Sequence, residues 1–139
     1  LGFVDGDDLY PVVVAFQAQD ALLAAGALLF HGALHRVFQI ADQRLLGRLL
    51  GTWRCAASPI DGAPYQYRFE ASGMLRQLDG DGDQTACASY VVRDGRVWIR
   101  WANGGREVAT CRWANGGLVY RIQSHTDADQ VGDVSRFRR

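Results

Sequence analysis

Arg100-Trp101-Ala102-Asn103-Gly104-Gly105 recurs residue for residue as Arg112–Gly117, twelve positions later. Asn-Gly between alternating segments is the strongest short-range hairpin signal, because a two-residue hairpin turn needs positive φ at both turn residues. The second glycine relieves strain as the chain enters the next strand. Twelve residues make one strand plus one turn. The repeat therefore reads as one piece of geometry used twice, and it predicts hairpin tips at Asn103-Gly104 and Asn115-Gly116 with both asparagines at positive φ. A solenoid needs more than two copies, and no third follows.

The pattern extends outward in both directions from these turns. "RVWIRWA" precedes the first, and Asp94-Gly95 turns into it. Further back, "TACASYVV" follows the turn "DGDGDQ", and "MLRQL" follows Ser72-Gly73. "YQYRFEA" alternates strictly, with Tyr65, Tyr67, Phe69 and Ala71 on one face, and "GTWRCAA" ends in Ser58-Pro59 and Asp61-Gly62. "LVYRIQSH" and "DVSRFRR" close the chain. Short alternating strands joined by such turns form an antiparallel meander. A meander of about seven to eight strands has to close on itself or split into a sandwich, and short sequential hairpins favour up-and-down closure into a barrel.

Composition changes at Gly51. Eleven of fourteen leucines precede it and all four tryptophans follow it, which separates helix-forming from strand-forming sequence. Asp7 and Asp8 before Pro11 make a helix start signal. Leu23, Ala27, Phe30, Leu34, Val37, Phe38, Ala41, Leu45 and Leu49 then recur at helical spacing, with Gln39, Asp42, Arg44 and Arg48 off the stripe. Gly26 and Gly32 favour a bend, and Val12–Phe16 reads equally well as a short strand. The expectation is one domain over 1–139, mainly β with an N-terminal helical segment (α+β): 1–48 helical, 49–139 an antiparallel barrel.

Bulk properties narrow the function. The chain has 139 residues, 48% hydrophobic and 22% charged, with a formal net charge of zero. That is the composition of a folded domain with no polyanion-binding face, so nucleic acid is not an expected partner. All fifteen basic residues are arginine, scattered rather than clustered, which reads as GC-rich coding. Leu9–Leu34 is apolar in patches, but Gln17, Gln19 and Asp20 interrupt it, so no membrane span is expected. Cys55, Cys87 and Cys111 lack metal or redox spacing; free thiols are the simplest reading, with one disulfide and a spare thiol as the alternative. Free thiols slightly favour the cytoplasm. The first residue is Leu1 rather than Met, which leaves a removed leader open.

"LLGTWRC" opening an eight-strand meander resembles the first strand of lipocalin-like (calycin-type) proteins, and "YRFEASGML" is similar to a Phe-x-x-x-Gly hairpin of small bacterial lipocalin-like domains. The resemblance covers roughly 49–139. It implies a barrel holding a small apolar ligand, with Trp53 at the closed end. The helical segment before the first strand departs from that pattern, and such a helix would plug or cap the barrel.

Candidate sites follow from side-chain chemistry. His31 and His35 at i and i+4 have metal-clamping spacing but lack the zinc-protease glutamate, and polar-face histidines are the better reading. Asp79, Asp81 and Asp83 alternate as in a calcium loop, yet Gln84 and Tyr90 stand where glycine and the bidentate glutamate belong, so "DGDGD" reads as a solvated hairpin tip. No nucleophile or phosphate-loop motif is present, and neither Glu70 nor Glu107 has an obvious carboxylate partner. No metal or cofactor is expected. The aromatic strips remain. Trp53, Tyr65, Tyr67, Phe69, Tyr90, Trp101 and Tyr120 are the candidate ligand-binding residues, facing inward as a packed core or as a pocket wall, while Arg68, Arg100 and Arg121 alternate outward. The leading expectation is a lipocalin-like binding protein for a small, mostly apolar molecule. Two alternatives come from other classes. One is an interaction or homodimerisation module using the helical stripe; the other is an enzyme on an NTF2-like cone, which needs a further helix in the sheet half.

Overall fold

The computed structural model describes residues 39–139. The helix start signal, Val12–Phe16, Gly26, Gly32, His31, His35 and the first part of the apolar stripe lie outside the described residues. Residues 39–49 are helical (α1). Eight strands follow: β1 (Gly51–Cys55), β2 (Tyr65–Phe69), β3 (Met74–Asp79), β4 (Gln84–Arg93), β5 (Arg96–Trp101), β6 (Arg106–Ala114), β7 (Gly117–His125) and β8 (Val134–Arg138). Each is antiparallel to the next, and β8 pairs back onto β1 to close the barrel. The up-and-down closure expected from the turns is what forms. Among the described residues the sheet half carries only a single 3-10 turn, Ala128–Gln130, so the basis for a cone-shaped enzyme fold is gone.

Register explains why the barrel has one apolar interior. Residues directly opposite one another in a ladder share a face. Trp53 faces Tyr67, which faces Gln77, which faces Ala86. Ala88 faces Trp101, Ile99 faces Glu107, Cys111 faces Tyr120 and Leu118 faces Phe137. Cys55 then faces Phe137 and completes the ring. Arg68, Arg100 and Arg121, one step out of phase, are exposed.

The repeated hexamer does not make the same turn twice. Asn115 and Gly116 both have positive φ, 52° and 74°, and Ala114 pairs with Gly117 across a two-residue loop. In the first copy only Gly104 is at positive φ (92°), and Trp101 N–H bonds to Gly105 O at 2.8 Å across a three-residue loop. Asn103 stays at ordinary φ and accepts from Gly105 N–H through its side-chain oxygen at 2.8 Å. The expectation of positive φ at Asn103 is thus corrected. The reason is register. A two-residue loop there would turn Arg106, Val108, Thr110 and Arg112 inward, because a one-residue slip flips a whole strand. The longer loop instead turns Glu107, Ala109, Cys111 and Trp113 inward, which keeps two arginines in water.

One end of the barrel is closed. Leu49 at the end of α1 is fully buried, and its carbonyl accepts the Trp53 indole N–H at 2.7 Å. Full burial of a leucine is worth about 1.5–3 kcal/mol. Asp42, off the apolar stripe, accepts the backbone N–H groups of Asp94 and Gly95 at 2.9 and 2.8 Å, which pins α1 to the β4–β5 turn. Arg139 donates to the carbonyls of Arg48 and Leu50, both at 2.6 Å, satisfying groups that a helix C-terminus leaves open. The same guanidinium lies 4.0 Å from the Trp53 ring centre, and Arg48 lies 4.0 Å from that of Trp113. α1 therefore caps the barrel rather than entering it. Cys55, Cys87 and Cys111 are all free thiols.

Candidate functional site

The opposite end is open and holds a cavity of about 770 Å³. Its rim is the β1–β2 loop with Ser58, Pro59 and Ile60, the β5–β6 turn, and the β7–β8 connection with Gln130 and Asp133. Its walls carry Tyr65, Gln77, Trp101 and Ile122, and Tyr67 lies at its base. The Tyr67 ring is packed by five others, with centroids 5.4 Å to Tyr65 and Phe137, 5.7 Å to Tyr120, and 5.9 Å to Phe69 and Trp101. Offset and edge-on pairs of this kind each add about 0.5–1.5 kcal/mol beyond burial, so this layer is a rigid base.

Of the seven residues singled out in the sequence, Tyr65, Tyr67, Trp101 and Tyr120 line this cavity. Trp53, Phe69 and Tyr90 face the same interior but lie in the closed half, outside the cavity. Phe69 packs edge-on against Tyr90 at 5.1 Å, and Tyr90 donates its hydroxyl to the Glu70 carbonyl at 2.6 Å. "DGDGD" forms the β3–β4 hairpin tip, where one carboxylate oxygen of Asp79 accepts the N–H groups of Asp81 and Asp83 at 2.9 and 3.0 Å.

Sequence reasoning missed the polar group at the cavity wall. Glu107 is only 2% exposed. The Tyr120 hydroxyl donates to its Oε2, and His125 Nε2 lies 3.5 Å from its Oε1. A β-bulge brings the histidine there. Ala109 pairs with Ile122, yet Glu107 pairs with His125, because the register shifts between Val108 and Ala109. With regular pairing, Ser124 would oppose Glu107 and His125 would point outward. Bulges re-aim side chains in this way. His125 Nδ1 accepts the backbone N–H of Asp127 at 2.8 Å. This leaves the ring hydrogen on Nε2, directed at Glu107. A second pair, the Tyr65 hydroxyl and Ser135 Oγ, bridges β2 and β8.

Burial dominates the electrostatics. It raises the Glu107 carboxyl above its ordinary range, opposed by the Tyr120 hydrogen bond, His125 and Trp101. It raises the phenols of Tyr65, Tyr67 and Tyr120 far enough that all three remain neutral donors. It pushes the Cys111 thiol up to about 12, which makes that sulfur a poor nucleophile. The cavity thus joins aromatic walls to neutral hydroxyl donors and one buried carboxyl. Among the described residues no group of three or more histidine, cysteine or acidic side chains is placed to hold a metal ion, and no helix is long and apolar enough to cross a membrane. The chain matches no protein-family model and no curated protein.

Proposed function

We propose that the protein binds a small, mostly apolar molecule in the open half of its barrel, as a lipocalin-like, calycin-type domain. One observation carries the reading: a cavity of about 770 Å³ inside a closed eight-strand barrel, walled by Tyr65, Trp101 and Ile122. Small-molecule sites are concave, about 300–1,000 Å³, largely apolar and furnished with a few polar groups. Eight strands leave room for side chains or for one small ligand. The resemblance of "LLGTWRC" and "YRFEASGML" to small bacterial lipocalin-like domains supports the same reading.

Tryptophan emission tests it, because Trp101 lines the cavity while Trp53 and Trp113 stack at the capped end. The panel is fatty acids, retinoids, haem, and arylalkyl alcohols and amines. At least one is expected to change emission saturably, with the change lost in Trp101→Phe and kept in Trp113→Phe. Saturation by none of them overturns the reading.

A further inference from the structure

The charges around the cavity are one-sided. Among the described residues, the acidic ones lining it are Asp61, Asp79, Glu107 and Asp133, His125 is the single basic one, and no arginine lines it. In a chain of zero formal net charge, the fourteen described arginines all lie away from this cavity. Field lines concentrate in a cleft with low-dielectric walls, so this arrangement favours a positive guest and disfavours a negative one.

Glu107 sharpens the point. Its carboxylate receives Tyr120 O–H, Trp101 also bonds to it, and His125 Nε2 lies 3.5 Å away. The His125 Nδ1 accepts from Asp127 N–H at 2.8 Å, which orients the ring with Nε2 toward the carboxylate. Tyr120 supplies a neutral hydroxyl, and His125 is the lone basic side chain beside the carboxylate, with no arginine among the described lining residues. A carboxylate taken out of water without a counter-charge is costly, and the cost is relieved when an opposite charge is seated beside it. The cavity itself is where that charge has room to sit. Around it stand the aromatic rings of Tyr65, Tyr67 and Trp101, a residue type that attracts cations through its quadrupole.

We propose that the molecule this cavity takes is a small organic cation, a primary or secondary ammonium on an aromatic or aliphatic body, with Glu107 as its counter-ion. The proposal rests on the ligand-binding reading above and adds its charge. The ammonium would donate to the Glu107 carboxylate while its apolar body lies against the aromatic walls.

Three ligands of matched shape test it at pH 8: 4-phenylbutylamine, 4-phenylbutanol and 4-phenylbutyrate, each titrated calorimetrically into the intact chain. A charge-assisted hydrogen bond exceeds a neutral one by enough for the amine to bind about tenfold tighter than the alcohol, with the carboxylate weakest. That order on the unaltered protein supports the charge inference by itself. Glu107→Gln then assigns the preference to this carboxylate: amine and alcohol are expected to bind alike, with alcohol binding retained. Equal binding of all three overturns the inference, and an amine preference that survives in E107Q overturns Glu107 as the counter-ion; both leave the ligand-binding reading standing. Binding of none overturns the inference, and the ligand-binding reading then stands or falls on the wider fluorescence panel.

Discussion

The two ends of this barrel are made from the same strands and face inward by the same alternation, yet they are different materials. At the capped end, Leu49, Trp53, Phe69, Leu75 and Leu118 are buried in one continuous cluster. Arg139 and Arg48 seal it by stacking on tryptophans and closing the helix terminus. At the open end the interior residues are Tyr65, Gln77, Trp101, Glu107, His125 and Ser135, which surround space instead of filling it. The lesson is a division of labour along each strand. β2 runs from a cavity-lining Tyr65 to a core Phe69, and β6 runs from Glu107 at the cavity to Trp113 beside the cap. Stability is concentrated at one end, so the other can hold polar groups that a filled core would not tolerate.

The largest expected difference between the two ends is in core truncation. Phe69→Ala removes a ring from a filled region and leaves an enclosed void, at a cost of about 3–5 kcal/mol. Ile122→Ala at the cavity wall merely enlarges an existing space. It carries the transfer loss without a new void, close to the low end of the range, about 2 kcal/mol. Urea melts of the two variants measure this. Equal losses would mean that the open end is packed as tightly as the capped one, and the comparison would fail.

The second contrast concerns Glu107. Its folded-state pKa is raised by burial above the ordinary 4.5. Above 4.5 the unfolded chain releases this proton while the folded chain still holds it. This group's contribution therefore lowers stability as pH rises from 4.5 through the folded pKa, and flattens beyond it. Glu107→Gln removes that slope. Other carboxylates titrate in both proteins, so the difference between wild-type and E107Q urea midpoints isolates the effect, and it is expected to shift in favour of E107Q as pH rises. A constant difference across that range would show that the open end does not penalise a buried charge. The same substitution that relieves the fold is expected to abolish the preference for amines, the usual tension between stability and a functional site.

Much of the fold, and only part of the site, was legible in the sequence. The meander, its closure and the inward faces follow from period-two alternation and turn residues, which are local properties. The aromatic strips could be placed on the correct face by the same means. Their height along the barrel depends on the stagger of strands around the ring, which alternation does not carry: the resemblance sets Trp53 at the closed end, and Phe69 and Tyr90 lie in that half with it, while Tyr65, Tyr67, Trp101 and Tyr120 line the cavity. Glu107 and His125 were invisible as a pair for a stronger reason. Their meeting depends on a bulge at Val108/Ala109, and nothing in "REVATCRWA" marks a bulge. A retrospective hint does exist: on the inward face of β6, Glu107 is the one charged residue among Ala109, Cys111 and Trp113. A charge in phase with an apolar strip signals either a slip or a site.

The smallest effects bear on the turns, one at each end of the barrel. Asn103-Gly104 sits at the open rim and Asn115-Gly116 at the capped end, with identical flanking residues. Gly104 and Gly116 hold φ of 92° and 74°, so Gly104→Val and Gly116→Val are both expected to cost about 1–3 kcal/mol through backbone strain. The asparagines are where the copies diverge. Asn115 holds φ of 52°, which glycine adopts freely, so Asn115→Gly is expected to leave the melting midpoint nearly unchanged. Asn103 instead contributes a side-chain hydrogen bond to Gly105 N–H and needs no positive φ. Asn103→Gly loses that bond and loosens the unfolded chain, at a cost of about 0.5–1.5 kcal/mol. Identical responses of the two asparagine variants would mean that the hexamer makes one turn in both places. The three-residue loop that turns Glu107 inward would then be wrong, and the acidic wall of the cavity with it.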